Sequence, residues 1–189
     1  MESWHIFDPV ALAGKGEISI AFMRAGALDY RAAANFVSRL PYRRNSAVRD
    51  PLVVMREGCG TCSTKHALLC RLAKELRLDI VLVVGIYEMS GENTPGIGGV
   101  LGKHRLRSLP EAHCYLRYVG RRVDVTWENG VRDLKFLLEQ EILPEQIGEY
   151  KAALHRQYLG RWMADGNAPG RDLDSLWRIR EECILRLSR

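Results

Sequence analysis

Long apolar runs are missing from this sequence. The longest, Ile80 to Tyr87, falls far short of the roughly 18 residues that a membrane-spanning helix requires. The opening stretch, Met1 to Gly16, carries Glu2, His5, Asp8 and Lys15 where an export signal would have an apolar core. Neither a membrane partner nor an export signal is expected, and the expected location is cytoplasmic. Cysteine is sparse and odd in number, five in all, which argues against a disulfide framework and for reduced thiols. Any special cysteine is then chemical or metal-binding. Internal repeats and low-complexity segments are also lacking, which removes solenoid, fibrous and disordered classes.

What is present suits one compact domain. The chain has 189 residues, 47% of them hydrophobic and 27% charged, enough to bury a sizeable core. The formal charge of +5 is spread along the whole chain with acids interleaved. Pairs such as Arg43-Arg44 and Arg121-Arg122 come without a nucleic-acid-reading motif, so nucleic acid is not an expected partner.

Tyr30 to Leu40 places Ala33, Phe36, Val37 and Leu40 on a helical stripe that Pro41 ends. A polar connector, Tyr42 to Arg49, follows. Gly58-Cys59-Gly60-Thr61 is turn-prone, and from Cys62 onward Ala67, Leu68, Cys70, Leu72 and Leu76 suit a helix. Cys62 therefore sits at or near a helix N-terminus. Ile80 to Ile86 reads as a buried strand, and glycine-rich Ser90 to Ser108 as a long mobile loop. Ala112 to Tyr118 and Arg122 to Trp127 read as strands joined by a turn at Val119-Gly120, an antiparallel hairpin. After Gly130 the pattern becomes helical, with one helix opened by Pro144 and another over Asp172 to Leu187.

The chemistry centres on Cys62. Only a thiolate attacks carbonyl carbon effectively, and a helix N-terminus favours negative charge there. The same first-turn N–H groups can hold the oxyanion of a tetrahedral intermediate. The base would be His113, at the start of one hairpin strand. The group that fixes its tautomer would be Asp124, flanked by Val123 and Val125 in the next strand. An aspartate between two valines is costly there unless its side chain has a partner.

Hairpin register decides whether these two residues can meet. A turn centred between Val119 and Gly120 makes paired residue numbers sum to 239, with Tyr115 opposite Asp124 and His113 opposite Thr126. His113 and Asp124 are then diagonal neighbours about 7 Å apart or less. A sum of 241 would instead put them roughly 13 Å apart along the strand.

Gly60-Thr61-Cys62-Ser63-Thr64-Lys65-His66-Ala67-Leu68-Leu69, with Glu75 to Ile80 after it, resembles the catalytic-cysteine helix of the transglutaminase-like superfamily. His113-Cys114-Tyr115 and Val123-Asp124-Val125-Thr126-Trp127 are similar to that family's histidine and aspartate strands, in the same chain order. The match covers roughly Leu40 to Trp127. It implies an α+β fold with a papain-like, transglutaminase-like core, in which the cysteine helix packs on an antiparallel β-sheet. The domain would span 1–189, with its core at about 28–130 and a C-terminal helical extension over 131–189. The implied activity is that of a cysteine protease, amidase or acyltransferase with the catalytic triad Cys62, His113 and Asp124, and no cofactor. Its substrate would be a peptide or protein amide, or a small acyl donor.

Other readings of the same residues are a non-catalytic protein-binding member of the fold and arylamine N-acetyltransferase-like acyl transfer. Cys59 and Cys62 also form a CxxC pair, the spacing of redox dithiols, and with His66 they offer part of a zinc site. The cluster Lys103, His104, Arg105 and Arg107 either solvates the long loop or rims a site.

Overall fold

The computed structural model describes residues 3–14, 16–127 and 134–188. Among them the architecture is α+β, with seven α-helices and a four-stranded antiparallel sheet. The elements run α1 (Glu17–Arg24), α2 (Tyr30–Arg39), α3 (Val53–Glu57), α4 (Cys62–Glu75) and β1 (Ile80–Ser90). After these come α5 (Gly98–Lys103), β2 (Ser108–Tyr118), β3 (Arg121–Val123), β4 (Phe136–Ile142), α6 (Glu149–Trp162) and α7 (Leu173–Leu187). Strand order in the sheet is β3-β2-β1-β4. No helix among the described residues is long and apolar enough to cross a membrane.

The chain divides into two compact units. The first comprises Met1–Val84, Cys114–Val131 and Gln140–Gly148; the second comprises Gly85–His113, Arg132–Glu139 and Glu149–Arg189. In the first unit α4 is the central helix, with Ala67, Leu69 and Leu72 fully buried. The Tyr30 hydroxyl donates to the Leu69 carbonyl at 3.1 Å and ties α2 to it. Glu75 near the end of α4 serves α1: its carboxylate accepts from the N–H groups of Ile18 at 3.1 Å and Ser19 at 2.8 Å. This supplies from a distance the cap that Gly16 has no side chain to give. A Cβ at Gly16 would stand 2.1 Å from the Glu75 carboxyl carbon, so the close approach requires glycine.

The β2–β3 hairpin pairs Leu116 with Val123, Arg117 with Arg122 and Tyr118 with Arg121, the register whose paired numbers sum to 239. Val119 and Gly120 both have positive φ, 45° and 71°, as a type I′ turn requires. A β-branched residue pays for that conformation, and Val119 is 73% exposed with no packing to offset it. Val119→Asn should therefore raise stability by about 1 kcal/mol. Urea denaturation checks this, and a fall in midpoint would count against the turn assignment.

The second unit has its own core, in which Met89, Ile97, Leu109, Leu159, Leu176 and Cys183 are fully buried. Several sequence expectations are corrected by the elements observed. Ser90 to Ser108 is not a long loop: β1 runs on to Ser90, and α5 is pinned by buried Ile97 and Leu101. Side chains shape the intervening turn, where Asn93 accepts from the Ser90 N–H at 2.9 Å and donates to the Glu88 carbonyl at 2.8 Å. Lys103 and His104 meet Glu182 of α7 at 3.4 and 3.1 Å; the His104 ring is largely covered, whereas the Lys103 side chain stays exposed.

The stretch after Gly130 is not all helical. Residues 128–133 lie outside those described, but Phe136–Ile142 is the strand β4. Gly85 of β1 makes room for it, since a Cβ there would stand 2.4 Å from the Phe136 ring. Pro144 opens a single 3₁₀ turn, Pro144–Ile147, and α6 starts only at Glu149. The strand expected over Arg122 to Trp127 ends at Val123, while its partner begins earlier than Ala112, at Ser108.

Candidate functional site

Cys62 is the first residue of α4, and the local sequence accounts for that start. Thr61 has extended backbone, its hydroxyl accepts from the Thr64 N–H at 3.4 Å, and the Thr64 hydroxyl accepts from the Thr61 N–H at 2.9 Å. This reciprocal cap holds the first turn. Ahead of it, Gly58 ends α3 in the left-handed conformation, and Gly60 bridges to Tyr42. A Cβ on Gly60 would come within 3.0 Å of Lys65 Cγ and Thr64 Oγ1, so the chain passes close over the helix start. Asn45 completes the frame: it donates to the Cys59 carbonyl at 2.9 Å and accepts from the Thr64 hydroxyl at 2.7 Å.

Cys62 is buried at the surface's edge, 6% exposed, with its sulfur 3.9 Å from the Ser63 hydroxyl, which in turn donates to Cys114 Sγ at 3.6 Å. None of the five cysteines is in a disulfide. An α-helix has no internal acceptor for the N–H groups of its first turn, so this end of α4 attracts negative charge at the sulfur.

Two α4 side chains join the cluster. Lys65 is fully buried, and its ammonium donates to the carbonyls of Leu40 at 2.6 Å and Thr126 at 2.9 Å. Burial pulls its pKa down to about 8, against the opposing pull of negative charge on Asp124, Cys62 and Cys59. Lys65 stands three residues after Cys62, hence on the same helix face. His66 is fully buried as well. Its Nε2 accepts from the Val125 N–H at 2.9 Å, so the ring proton is on Nδ1, which donates to the Cys62 carbonyl at 2.7 Å.

Asp124 follows β3 directly and is not a ladder residue. Its Oδ1 accepts from the Thr126 N–H at 2.9 Å and lies 3.5 Å from His66 Nε2. These contacts explain the early end of the strand. The Thr126 N–H goes to an aspartate side chain two residues back and the Val125 N–H goes to His66, so side-chain acceptors replace the ladder. The Thr126 hydroxyl is buried and has no hydrogen-bond partner among the described residues. Such a group costs about 1–3 kcal/mol if it stays unpaired. Trp127 stacks on Tyr42, ring centres 4.8 Å apart.

The first unit thus brings together Cys62 and Asp124 with Lys65 and His66. His113 belongs to the second unit. There it is buried, its ring parallel to Phe136 at 6.4 Å and edge-on to Tyr87 at 6.3 Å, which fixes the plane of the imidazole. The zinc alternative loses its third ligand, because both His66 nitrogens are committed to backbone groups. Among the described residues no group of three or more His, Cys, Asp or Glu side chains could hold a metal ion. The CxxC pair is preceded by the short helix α3 and not by the strand that a thioredoxin-type site requires.

Lys65 was not legible as part of the site. Residues 62–69 are buried without interruption, so no amphipathic stripe marks one polar position as special. Its titration has a measurable sign. The unfolded chain keeps the lysine proton up to its ordinary value of 10.5, the folded protein only to about 8. Within that window the unfolded state binds more protons, so stability rises with pH. Buried Cys70 and Cys183, both pushed up to about 11, act in the opposite sense in both proteins, so the lysine is read from the difference: the urea midpoint of the wild type should gain on that of Lys65→Met from pH 8 towards 10. Parallel curves would place the ammonium in water.

Comparison with known proteins returns no similarity: no family model, no curated protein and no solved structure matches the chain.

Proposed function

We propose that the chain is a cysteine enzyme of transglutaminase-like type, with a papain-like core, that acts through a thioester on Cys62. The observation that carries this reading is a buried cysteine at the first residue of a reciprocally capped helix, gathered with Lys65 and Asp124 in one polar cluster. In the proposed reaction the Cys62 thiol gives its proton to His113 and the sulfur bonds to an amide or ester carbonyl carbon. His113 returns the proton to the departing amine or alcohol. Water or a second amine then cleaves the thioester, which makes the overall reaction hydrolysis or acyl transfer.

The base is assigned to His113 from the His-Cys-Tyr motif and from the state of His66, whose Nε2 lone pair is already used. Asp124 is the orienting carboxylate. The N–H groups of the first turn of α4 hold the oxyanion. Substrates would be peptide or protein amides, or small acyl donors; the unpartnered Thr126 hydroxyl supplies a hydrogen bond to such a ligand. Incubation with p-nitrophenyl acetate tests the scheme. One equivalent of nitrophenolate should be released in a burst, with acetyl recovered on the Cys62 peptide by mass spectrometry. Acetyl on other residues only would overturn it.

A further inference from the structure

Towards the far end of α4 lies a cavity of about 630 Å³, lined only by residues of the first unit. This volume falls within the range of small-molecule sites. Cys70, Ile80, Leu82, Ile142, Leu143 and Pro144 give it apolar walls, and Leu143 leaves 63% of its surface exposed there. Burial, the largest influence, pushes the Cys70 thiol up to about 11. The group stays protonated at neutral pH and adds to the apolar character.

The lining carries three cations, Arg71, Lys74 and Arg77, and three carboxylates, Asp79, Glu141 and Glu145, and positive charge is left in excess because Arg117, outside the lining, takes Glu141. Glu145 pairs with Arg71 at 3.5 Å, and Glu141 accepts from Arg117 at 2.8 Å. Lys74 and Arg77 line the cavity too, and among the described residues neither has a carboxylate within ion-pair distance. Against these two cations stands Asp79.

Arg77 is the informative residue. It follows the α4 C-cap Leu76 with φ +57°, the left-handed conformation usually taken by glycine at this place. Its N–H donates to the Lys74 carbonyl at 3.2 Å, and the Leu78 N–H donates to the Ala73 carbonyl at 2.9 Å. The helix thus ends in a Schellman turn that glycine would form without strain. Lys74, in the last turn, already offsets the negative end of the helix. Capping therefore gives no reason for an arginine here, whereas the cavity does.

We propose that this cavity binds a small amphipathic anion, an alkyl carboxylate whose chain lies along Ile80, Leu82 and Ile142 and whose head group is held by Arg77 and Lys74. The site is separate from the cysteine chemistry: Lys74 is about 18 Å from Cys62 along the axis of α4. Either proposal can fail without the other.

Calorimetric titration of the full chain with decanoate, decanol, decylamine and inorganic phosphate tests it. Decanoate should bind and slow the maleimide labelling of Cys70. Decanol should bind about tenfold more weakly, as loss of a charge-assisted hydrogen bond implies, and decylamine and phosphate should not bind. Arg77→Gly should reduce decanoate affinity about tenfold while the melting temperature holds or rises, because the substitution relieves backbone strain. Absence of decanoate binding, equal binding of decanol or decylamine, binding of phosphate alone, or full affinity in Arg77→Gly would each overturn the assignment.

Discussion

Arg180→Met should destabilise the protein by about 3–5 kcal/mol at neutral pH, because it leaves a buried carboxylate uncompensated. Arg180 of α7 grips Glu111 of β2 with two hydrogen bonds, Nε to Oε2 at 2.7 Å and Nη2 to Oε1 at 2.6 Å. Both residues belong to the second unit, with Glu111 buried and the Arg180 guanidinium over the Trp177 ring at 5.3 Å. Burial alone would raise the Glu111 carboxyl. The charge of Arg180, then that of His155, the Arg180 hydrogen bonds and Lys151 overcome it and hold the group at about 2.

The pH dependence follows from that depression. In the wild type the pair's stabilisation is complete above the ordinary carboxyl value of 4.5 and is lost as pH falls towards about 2. In Arg180→Met the sign reverses, since a buried carboxylate without its cation gains by taking a proton. The variant's deficit should shrink as pH drops from 7 to 5. Replacing both partners, as Glu111→Leu with Arg180→Met, should recover most of the loss. Urea titrations at the two pH values measure all of this, and a single variant within 1 kcal/mol of wild type at pH 7 would show that the pair is solvated.

Loss of the Cys62 sulfur has the largest expected functional effect. Cys62→Ala should abolish acyl transfer to the level of the uncatalysed reaction, since no covalent intermediate can form. His113→Ala should slow acylation by about 10³-fold or more and Asp124→Asn by about 10²–10⁴-fold, with little change in KM, because the proposed scheme has these groups act on the proton and not on substrate binding. Combining His113→Ala with Asp124→Asn should cost no more than His113→Ala alone, because an orienting carboxylate has no role once its imidazole is gone. Multiplied effects would mean that Asp124 works through another group, with Lys65, whose ammonium feels its charge, and His66, 3.5 Å away, as the candidates.

The start of α4 was legible because a glycine-rich turn gives way abruptly to apolar residues at helical spacing. The hairpin was legible from its turn at Val119-Gly120, but the sequence left two registers open, and the pairing of Leu116 with Val123 selects the one that sums to 239. Where the sequence misled, tertiary contacts outvote local pattern. Phe136-Leu137-Leu138-Glu139-Gln140-Glu141-Ile142 is rich in strong helix formers, and what suits it to the sheet is the space left by Gly85 for the Phe136 ring. Gly98 to Lys103 has poor helix propensity, yet buried Ile97 and Leu101 fix it as α5. Asp124 looks like a strand residue from its valine neighbours. Its own side chain and buried His66 take the N–H groups that a ladder would use, and such a contact between segments 59 residues apart leaves no local trace.

The central claim is that Cys62 is an activated thiol, and its alkylation rate tests this most directly. Iodoacetamide labelling of the Cys62 peptide, followed by mass spectrometry from pH 5 to 9, should proceed at pH 7 at least tenfold faster than that of a model thiol of pKa about 8.5. The labelling midpoint should lie below neutral and move upward in His113→Ala. A rate no greater than the model thiol's at pH 7, with an unshifted midpoint, would contradict the account.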